Sequence, residues 1–293
     1  MGVTPRSRAS AVVPTLGRSP WLLPCLEALR REGVEIIVVD QGEAPVELPA
    51  GLADRVLRPG RNLGFAGGTN LGISAASAEL VATVNDDALV EPGWTATLAA
   101  ALEADPRVGA AQGVTLMLDD PARADGCGIA WNRWWQAVQV GHGLAAPAAS
   151  EPVREIFGAS ATVALFRRSA LQAVAVDEDV FDPRLISYYE DVELAGRLRA
   201  AGWRALLVPA ARARHAGSAT GGTMSRERWR LIYGNRWLAA SRFLGSGLWP
   251  RVPWMLLRDL LDLARAAGGG DGARVSGIAA GWARAIRELP GFR

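Results

Sequence analysis

The run Val34-Glu35-Ile36-Ile37-Val38-Val39-Asp40 shows almost no polar–apolar alternation. A strand apolar on both faces belongs inside a parallel sheet that helices cover on each side. Working backwards, Ser19 can cap a helix with Pro20 at its first position, and Leu22, Leu23, Leu26 and Leu29 share one face of it. Before that helix, ASAVVPT at 9–15 reads as a first strand. Working forwards, the pattern predicts a short strand at 55–58, a helix over 66–77, a buried strand at 79–85, a helix from Pro92 to about residue 104, and a strand at 108–112. Short β-branched runs alternating with helices are stacked β-α units. The fold class expected is therefore α/β, a doubly wound sheet whose strand ends hold a ligand. Over 119–153 the pattern loosens, with scattered Gly, Pro and Trp, and suggests a hairpin or mobile loop over the site. Alternation returns at 159–166, followed by helices near Ser169 and over 190–201, the second ended by Gly202, and by a last strand at 203–209.

The chain has 293 residues, 49% hydrophobic and 21% charged, which is ample for a core and excludes intrinsic disorder. Two cysteines exclude a disulfide scaffold and a four-thiolate zinc site. No secretory leader and no run of 18 uncharged apolar residues is visible, so a cytoplasmic protein is expected. All 32 basic residues are Arg, which rules out a Schiff-base lysine and a Walker-type phosphate lysine. Residues 1–223 carry 20 Arg against 25 acidic residues, whereas 224–293 carry 12 Arg against 5. Two regions are thus expected: a site-bearing domain over 1–223 and a basic, Trp-rich amphipathic helical extension over 224–293, with helices near 225–244, 248–267 and 274–288. Trp and Arg on such helices suit the cytoplasmic face of a membrane. Packing on the body of the protein, or on a second copy as a homodimer, accounts for them equally. Nucleic acid is not expected as a partner, because the tail alone favours it.

Four segments fall at predicted strand ends. Pro14 and Thr15 close the first strand, and Asp40 closes the second, where an acid can meet a base or ribose or simply make a turn. NLGFAGGTN at 62–70 offers backbone N–H groups at a helix start, yet fits neither the dinucleotide nor the P-loop pattern. Asn85-Asp86-Asp87 places two carboxylates side by side without a nearby basic residue, a repulsion that a divalent cation would relieve. Glu190-Asp191 opens a helix, where acids suit the dipole and either could act as a general base. His215, one of two histidines, follows the last predicted strand and reads as structural or as a further metal ligand.

Together these segments resemble the family 2 glycosyltransferases, especially the rhamnosyltransferase-like branch. The motifs appear in that family's order: Val12-Val13-Pro14-Thr15-Leu16-Gly17-Arg18, IVVD ending at Asp40, 62–70, Asn85–Asp86–Asp87, Gly158-Ala159 with Arg167-Arg168, Glu190-Asp191, and His215. The resemblance covers roughly residues 9–220. It implies a GT-A (Rossmann-like) nucleotide-diphospho-sugar transferase sheet and an inverting transfer to a hydroxyl acceptor, in cell-surface glycan or glycolipid assembly. By the same resemblance, Pro14, Thr15, Asp40, Asn62, Gly64, Phe65, Gly68, Asn70, Asn85 and Asp86 would bind the nucleotide-sugar. Asp87, with His215, would hold Mg²⁺ or Mn²⁺. Asp191 would deprotonate the acceptor with Glu190 beside it, and Gly158 and Ala159 would shape the acceptor or donor-sugar pocket. The donor would be dTDP- or UDP-linked, and a lipid-linked glycan would suit the tail as acceptor. Two departures stand out. Gln41-Gly42-Glu43 follows Asp40 where Asn-Gly-Ser or Asp-x-Ser is common, and Asp86 fills a slot often held by a neutral residue, which leaves a second metal ligand or a solvent-facing side chain open. A non-catalytic nucleotide-binding or membrane-associated module of the same fold would be expected to have lost these acids. A sugar-1-phosphate nucleotidyltransferase would need a basic Gly-rich first loop that PTLGRSP does not supply.

Overall fold

The computed structural model describes residues 8–217 and 224–291. Its elements run β1 (Ala9–Thr15), α1 (Leu22–Arg31), β2 (Glu35–Asp40), β3 (Arg55–Leu57), α2 (Gly64–Ala75), β4 (Leu80–Val84), β5 (Ala88–Val90), α3 (Trp94–Ala104) and β6 (Val108–Met117). They continue with β7 (Ala124–Gly126), β8 (Ile129–Trp131), β9 (Ala137–Gln139), β10 (Arg154–Ile156), β11 (Val163–Arg167), α4 (Arg168–Ala173), α5 (Glu190–Ala200) and β12 (Arg204–His215). Three helices close the chain: α6 (Arg226–Leu244), α7 (Val252–Gly268) and α8 (Gly272–Glu288).

The main sheet has the order β10-β12-β6-β11-β4-β1-β2-β3, with β5 paired to β12 and β7 to β6. Strands β4, β1, β2 and β3 are mutually parallel, whereas β11 runs antiparallel to both β4 and β6. The fold is mixed α/β, a mostly parallel sheet rather than a doubly wound one throughout. The reason lies in the connections. Between β6 and β11 the chain returns through short strands instead of a crossover helix, and such a return leaves the next strand free to run antiparallel.

Strand β2 shows why its sequence does not alternate. Ile36 and Val38 pack with Leu26, Leu29, Leu98 and Leu102 under α1 and α3, while Ile37 and Val39 pack with Ile73 and Phe166 on the opposite face. All four β2 side chains are fully buried, a gain of about 1.5–3 kcal/mol each. Helix α1 starts later than its sequence suggests: Ser19 Oγ accepts from Trp21 N at 3.2 Å, Pro20 stays outside, and Leu23 is 41% exposed. Helix α2 begins at Gly64, two residues before the expected start, and takes in most of the Gly-rich segment. β12 runs on to His215, so that residue ends the strand instead of following it.

The 119–153 region is an ordered β8–β9 hairpin whose Trp131 stacks on Phe243 and whose Trp134 stacks on Trp254. The final helices are part of the same body. Helices α6 and α8 meet backbone to backbone: a Cβ at Gly277 would lie 2.3 Å from Trp229 Cβ, and one at Gly281 would lie 2.9 Å from Arg230 O. Helix α7 is inverted. Its Asp259 and Asp262 are buried, Asp259 against Arg236 and both Trp237 Nε1 and Trp282 Nε1, whereas Leu256, Leu257, Leu260 and Leu261 face outward. Of the tail tryptophans, Trp237 is buried, Trp229 and Trp282 are half-buried, and Trp249 and Trp254 are exposed. Among the described residues, no helix is long and apolar enough to cross a membrane.

Candidate active site

Asp86 and Asp87 occupy the turn that Ala88 N closes onto Asn85 O at 3.1 Å. The antiparallel β5–β12 register sets His215 opposite Ala88, and so beside Asp87. His215 Nε2 lies 3.1 Å from Asp87 Oδ1, and its Nδ1 lies 2.8 Å from Asp125 Oδ2 on β7. Burial alone would lower the imidazole pKa, but the hydrogen bonds and charges of Asp125 and Asp87 overcome it and raise the pKa to about 9. Without a cation, the two carboxylates favour a second proton on His215; a cation at Nε2 would take the place of that proton. Two ligands on adjacent octahedral positions of a cation stand about 3 Å apart, so the Asp87–His215 pair fits a divalent ion. Asp125 supplies the carboxylate that fixes the tautomer of a metal-binding imidazole. Among the described residues, no group of three or more His, Cys, Asp or Glu forms a metal cage by itself, so a cation held here would take further oxygens from a bound ligand.

The second acidic pair reaches the cleft over strained backbone. Ile186 has φ 64° and ψ −67°, and Ser187 N donates to Leu185 O at 2.7 Å, which makes a γ-turn of the rare, strained hand at a β-branched residue. Tyr188 and Tyr189 both have φ 70°. Such residues cost about 1–3 kcal/mol each and persist only where their surroundings impose them. Glu190 and Asp191 follow, both largely buried. Asp191 Oδ1 accepts from Val192 N at 2.8 Å and Oδ2 from Ser160 Oγ at 3.2 Å, whereas Glu190 Oε2 has no hydrogen-bond partner among the described residues. Burial, then the charge of Asp191, lifts the Glu190 pKa to about 8. Burial also raises Asp191, but the hydrogen bonds from Val192 N, Ser160 and Ala161 offset part of that. Burial thus works against ionising both carboxyls together, and the hydrogen bonds to Asp191 favour its carboxylate over that of Glu190.

One cleft of about 610 Å³ joins these groups: Phe65, Asn85, Glu190, Asp191 and His215 line it. Asp87 meets the cleft through His215. The remaining candidate residues have other surroundings. Thr15 Oγ1 donates to Asp86 Oδ2 at 2.6 Å, so Asp86 turns toward β1 and neither into solvent nor onto His215; burial, countered in part by Thr15, raises its pKa to about 6. Asp40 is fully engaged, accepting from Gly42 N at 3.0 Å and Val46 N at 2.9 Å and pairing with Arg58 Nε at 2.9 Å. It shapes the 42–46 loop, with both oxygens engaged by the protein itself. Pro14 is buried in β1 beside Val39. Asn62 Oδ1 accepts from Gly64 N at 2.8 Å, and Gly68 abuts the Gln41 side chain. Asn70 spends its amide on Phe181, donating to its O at 2.7 Å and accepting from its N at 2.9 Å. Gly64 has φ +73°, and a Cβ there would stand 2.6 Å from Ile186 O. The Gly-rich segment thus supports the strained turn, and of its candidate residues only Phe65 lines the cleft. Gly158 packs on Ala195 and, with Ala159, lines a separate crevice of about 10 Å³, too small for a sugar; Ala161 and Thr162 line the cleft instead.

The profile described as Glycosyl transferase family 2 matches residues 10–174. The chain belongs to that family. Uncharacterized proteins of Mycobacterium tuberculosis and Mycobacterium bovis are 36% identical over 89 residues, 29% of this chain and 33% of theirs, so the chain matches only about a third of their length. In fold, this family 2 chain is similar to a Pyrobaculum calidifontis mannosyltransferase, PcManGT, solved with GDP-Man and Mn²⁺ (TM-score 0.54, 20% identity, 97% of this chain and 81% of that one). It is also similar to S. aureus TarS 1–349 with UDP-GlcNAc (0.53, 15%, 97% and 92%) and to GalNAc-T7 with UDP, GalNAc and Mn²⁺ (0.57, 15%, 81% and 50%). These likenesses show the GT-A fold.

Several cleft groups of this family 2 chain escaped the sequence. Asp125 lies in the loosened 119–153 stretch, where nothing in the local pattern separates it from a loop acid; only the β6–β7 pairing brings it to His215. His142, the other histidine, also lines the cleft, with Nδ1 2.9 Å from Asp125 O and 3.3 Å from Asp125 Oδ1. Ser160 sits between Gln139 Nε2 at 2.8 Å and Asp191.

Proposed function

We propose that the chain transfers a sugar from a nucleotide-diphosphate donor to a hydroxyl acceptor with inversion at the anomeric carbon. One observation carries this reading: the adjacent, largely buried carboxyls of Glu190 and Asp191 and a His215 bound by Asp87 and Asp125 share a single cleft. Asp191, its carboxylate supported by Val192 N and Ser160 Oγ, is the base that takes the acceptor proton. Glu190, kept neutral, can donate a hydrogen bond to the acceptor and spares Asp191 a second negative charge. Asp87 and His215 would hold Mg²⁺ or Mn²⁺, whose charge offsets that of the departing diphosphate. Asp125 keeps Nε2 of His215 aimed at Asp87. The nucleoside would lie over a second cleft of about 410 Å³, lined by Gly17, Arg18, Glu43 and Val46 at the ends of β1 and β2. A dTDP- or UDP-linked hexose or deoxyhexose is the donor we favour, the motif order being that of the rhamnosyltransferase-like branch.

The acceptor side is partly apolar, with Val138, Tyr188 and Ile232 on its walls. This suits a lipid-linked glycan, and the outward leucines of α7 with exposed Trp249 and Trp254 suit attachment to the cytoplasmic face of a membrane. Leu257→Glu with Leu260→Glu should abolish sedimentation with anionic vesicles; a loss of dimer mass instead would assign the face to a second copy. The function itself is tested by thermal-shift screening of nucleotide-sugars with and without Mn²⁺, followed by NMR of the product anomer. No Mn²⁺-dependent shift with any nucleotide-sugar, or a retained anomer, refutes it.

A further inference from the structure

We propose that Asn235 of α6 is a positioning residue, a clamp from the C-terminal helices on the backbone that presents Glu190 and Asp191. The proposal rests on the catalytic reading of those two acids. Asn235 has no exposed surface, and the two hydrogens of its Nδ2 are shared among Leu185 O at 2.7 Å, Ser187 O at 2.8 Å and Tyr188 O at 2.7 Å. Its Oδ1 accepts from Arg284 Nη1 of α8 at 2.6 Å. Three carbonyls at one end and a guanidinium at the other admit only one orientation of the amide. Arg284, also buried, donates through Nη2 to Arg184 O. On the opposite side, Ala66 N of α2 donates to Ile186 O at 2.9 Å, and Phe65 N donates to Ser187 Oγ at 3.1 Å.

Every carbonyl from Arg184 to Tyr188 is therefore taken, four of the five by side chains of α6 and α8. This is the stretch with positive φ at Ile186, Tyr188 and Tyr189, and backbone of that kind relaxes once its partners are removed. Relaxation would turn the first residues of α5, and both carboxyl groups with them, away from the cleft. The glycine seam between α6 and α8 sets the register at which Arg284 reaches Asn235. The last seventy residues thus complete the site as well as flank it.

Asn235→Asp in the full chain tests this. The substitution keeps the size of the side chain and gives Arg284 a carboxylate, so α6 and α8 stay docked, while the donors to three carbonyls are lost. Amide hydrogen exchange over 185–193 should speed up about 100-fold while α8 keeps its protection. The turnover number should fall at least about tenfold, with the nucleotide-sugar KM within about twofold. Arg284→Met, which leaves Asn235 in place but removes the group that fixes its amide, should give the same pattern at about a tenth of the amplitude. Unchanged exchange over 185–193 in both folded variants overturns the clamp, whatever the turnover. Faster exchange there, with turnover untouched in Asn235→Asp and in Asp191→Asn alike, upholds the clamp and instead refutes the role given to Asp191.

Discussion

Replacing Glu190 by Gln tests whether an unpartnered carboxyl is held neutral at the cleft. In the folded chain its pKa is about 8, against 4.5 for the free side chain. Between those values the folded state keeps a proton that the unfolded chain has released, so stability falls as pH rises. The penalty is absent below pH 4.5, grows by at most about 1.4 kcal/mol per pH unit, and levels off above pH 8 at no more than about 5 kcal/mol. Gln carries no such proton, so the variant should lack that slope. Urea denaturation from about pH 5 to pH 8, read as ΔG with m checked for constancy, measures the difference. The parent should lose ground to the variant steadily across that range. Parallel profiles would show that Glu190 ionises normally in the fold, and its neutral role would fail with it.

Asp191→Asn should lower turnover by about 10²–10⁴ while nucleotide-sugar affinity, measured by calorimetry, stays unchanged; full turnover would take the base away from this residue. Asp125→Asn removes the carboxylate behind His215 and should weaken Mn²⁺ binding about 10–100-fold, read by titration of the nucleotide complex. Unaltered affinity would leave Asp125 without that role. Arg236→Met strands Asp259 in a buried setting and should cost about 3–5 kcal/mol in urea unfolding. Adding Asp259→Leu should recover only part of this, because Trp237 and Trp282 then lose their acceptor. A cost under about 1 kcal/mol would mean the pair is hydrated.

The sheet was legible because β2 and β4 are buried on both faces, and only unbroken apolar runs satisfy that condition. The antiparallel turn of β11 was not, since strand direction depends on how the chain returns and leaves no mark on the strand itself. In the Gly-rich segment, backbone N–H groups were expected to meet a ligand, whereas what lies against Gly64 is the Ile186 turn of the protein. Asp40 and Asn70 illustrate the same limit: a polar residue at a strand or helix end looks alike whether it faces a ligand or another loop, and here both are used internally. The tail was legible as helices, but not which side of each faces the body. The pattern of α7 marks an apolar stripe, and periodicity alone cannot say that the acids, once neutralised by Arg236, Arg258 and Arg274, take the inner side.

Both histidines of the chain lie against Asp125, His215 at its carboxylate and His142 at its backbone O and Oδ1. A chain with two imidazoles, each at the cleft, carries its own spectroscopic reporters. Two sets of ring resonances suffice to follow cation loading, nucleotide entry and proton release at His215, with His142 as an internal comparison, and no label or engineered probe has to be introduced.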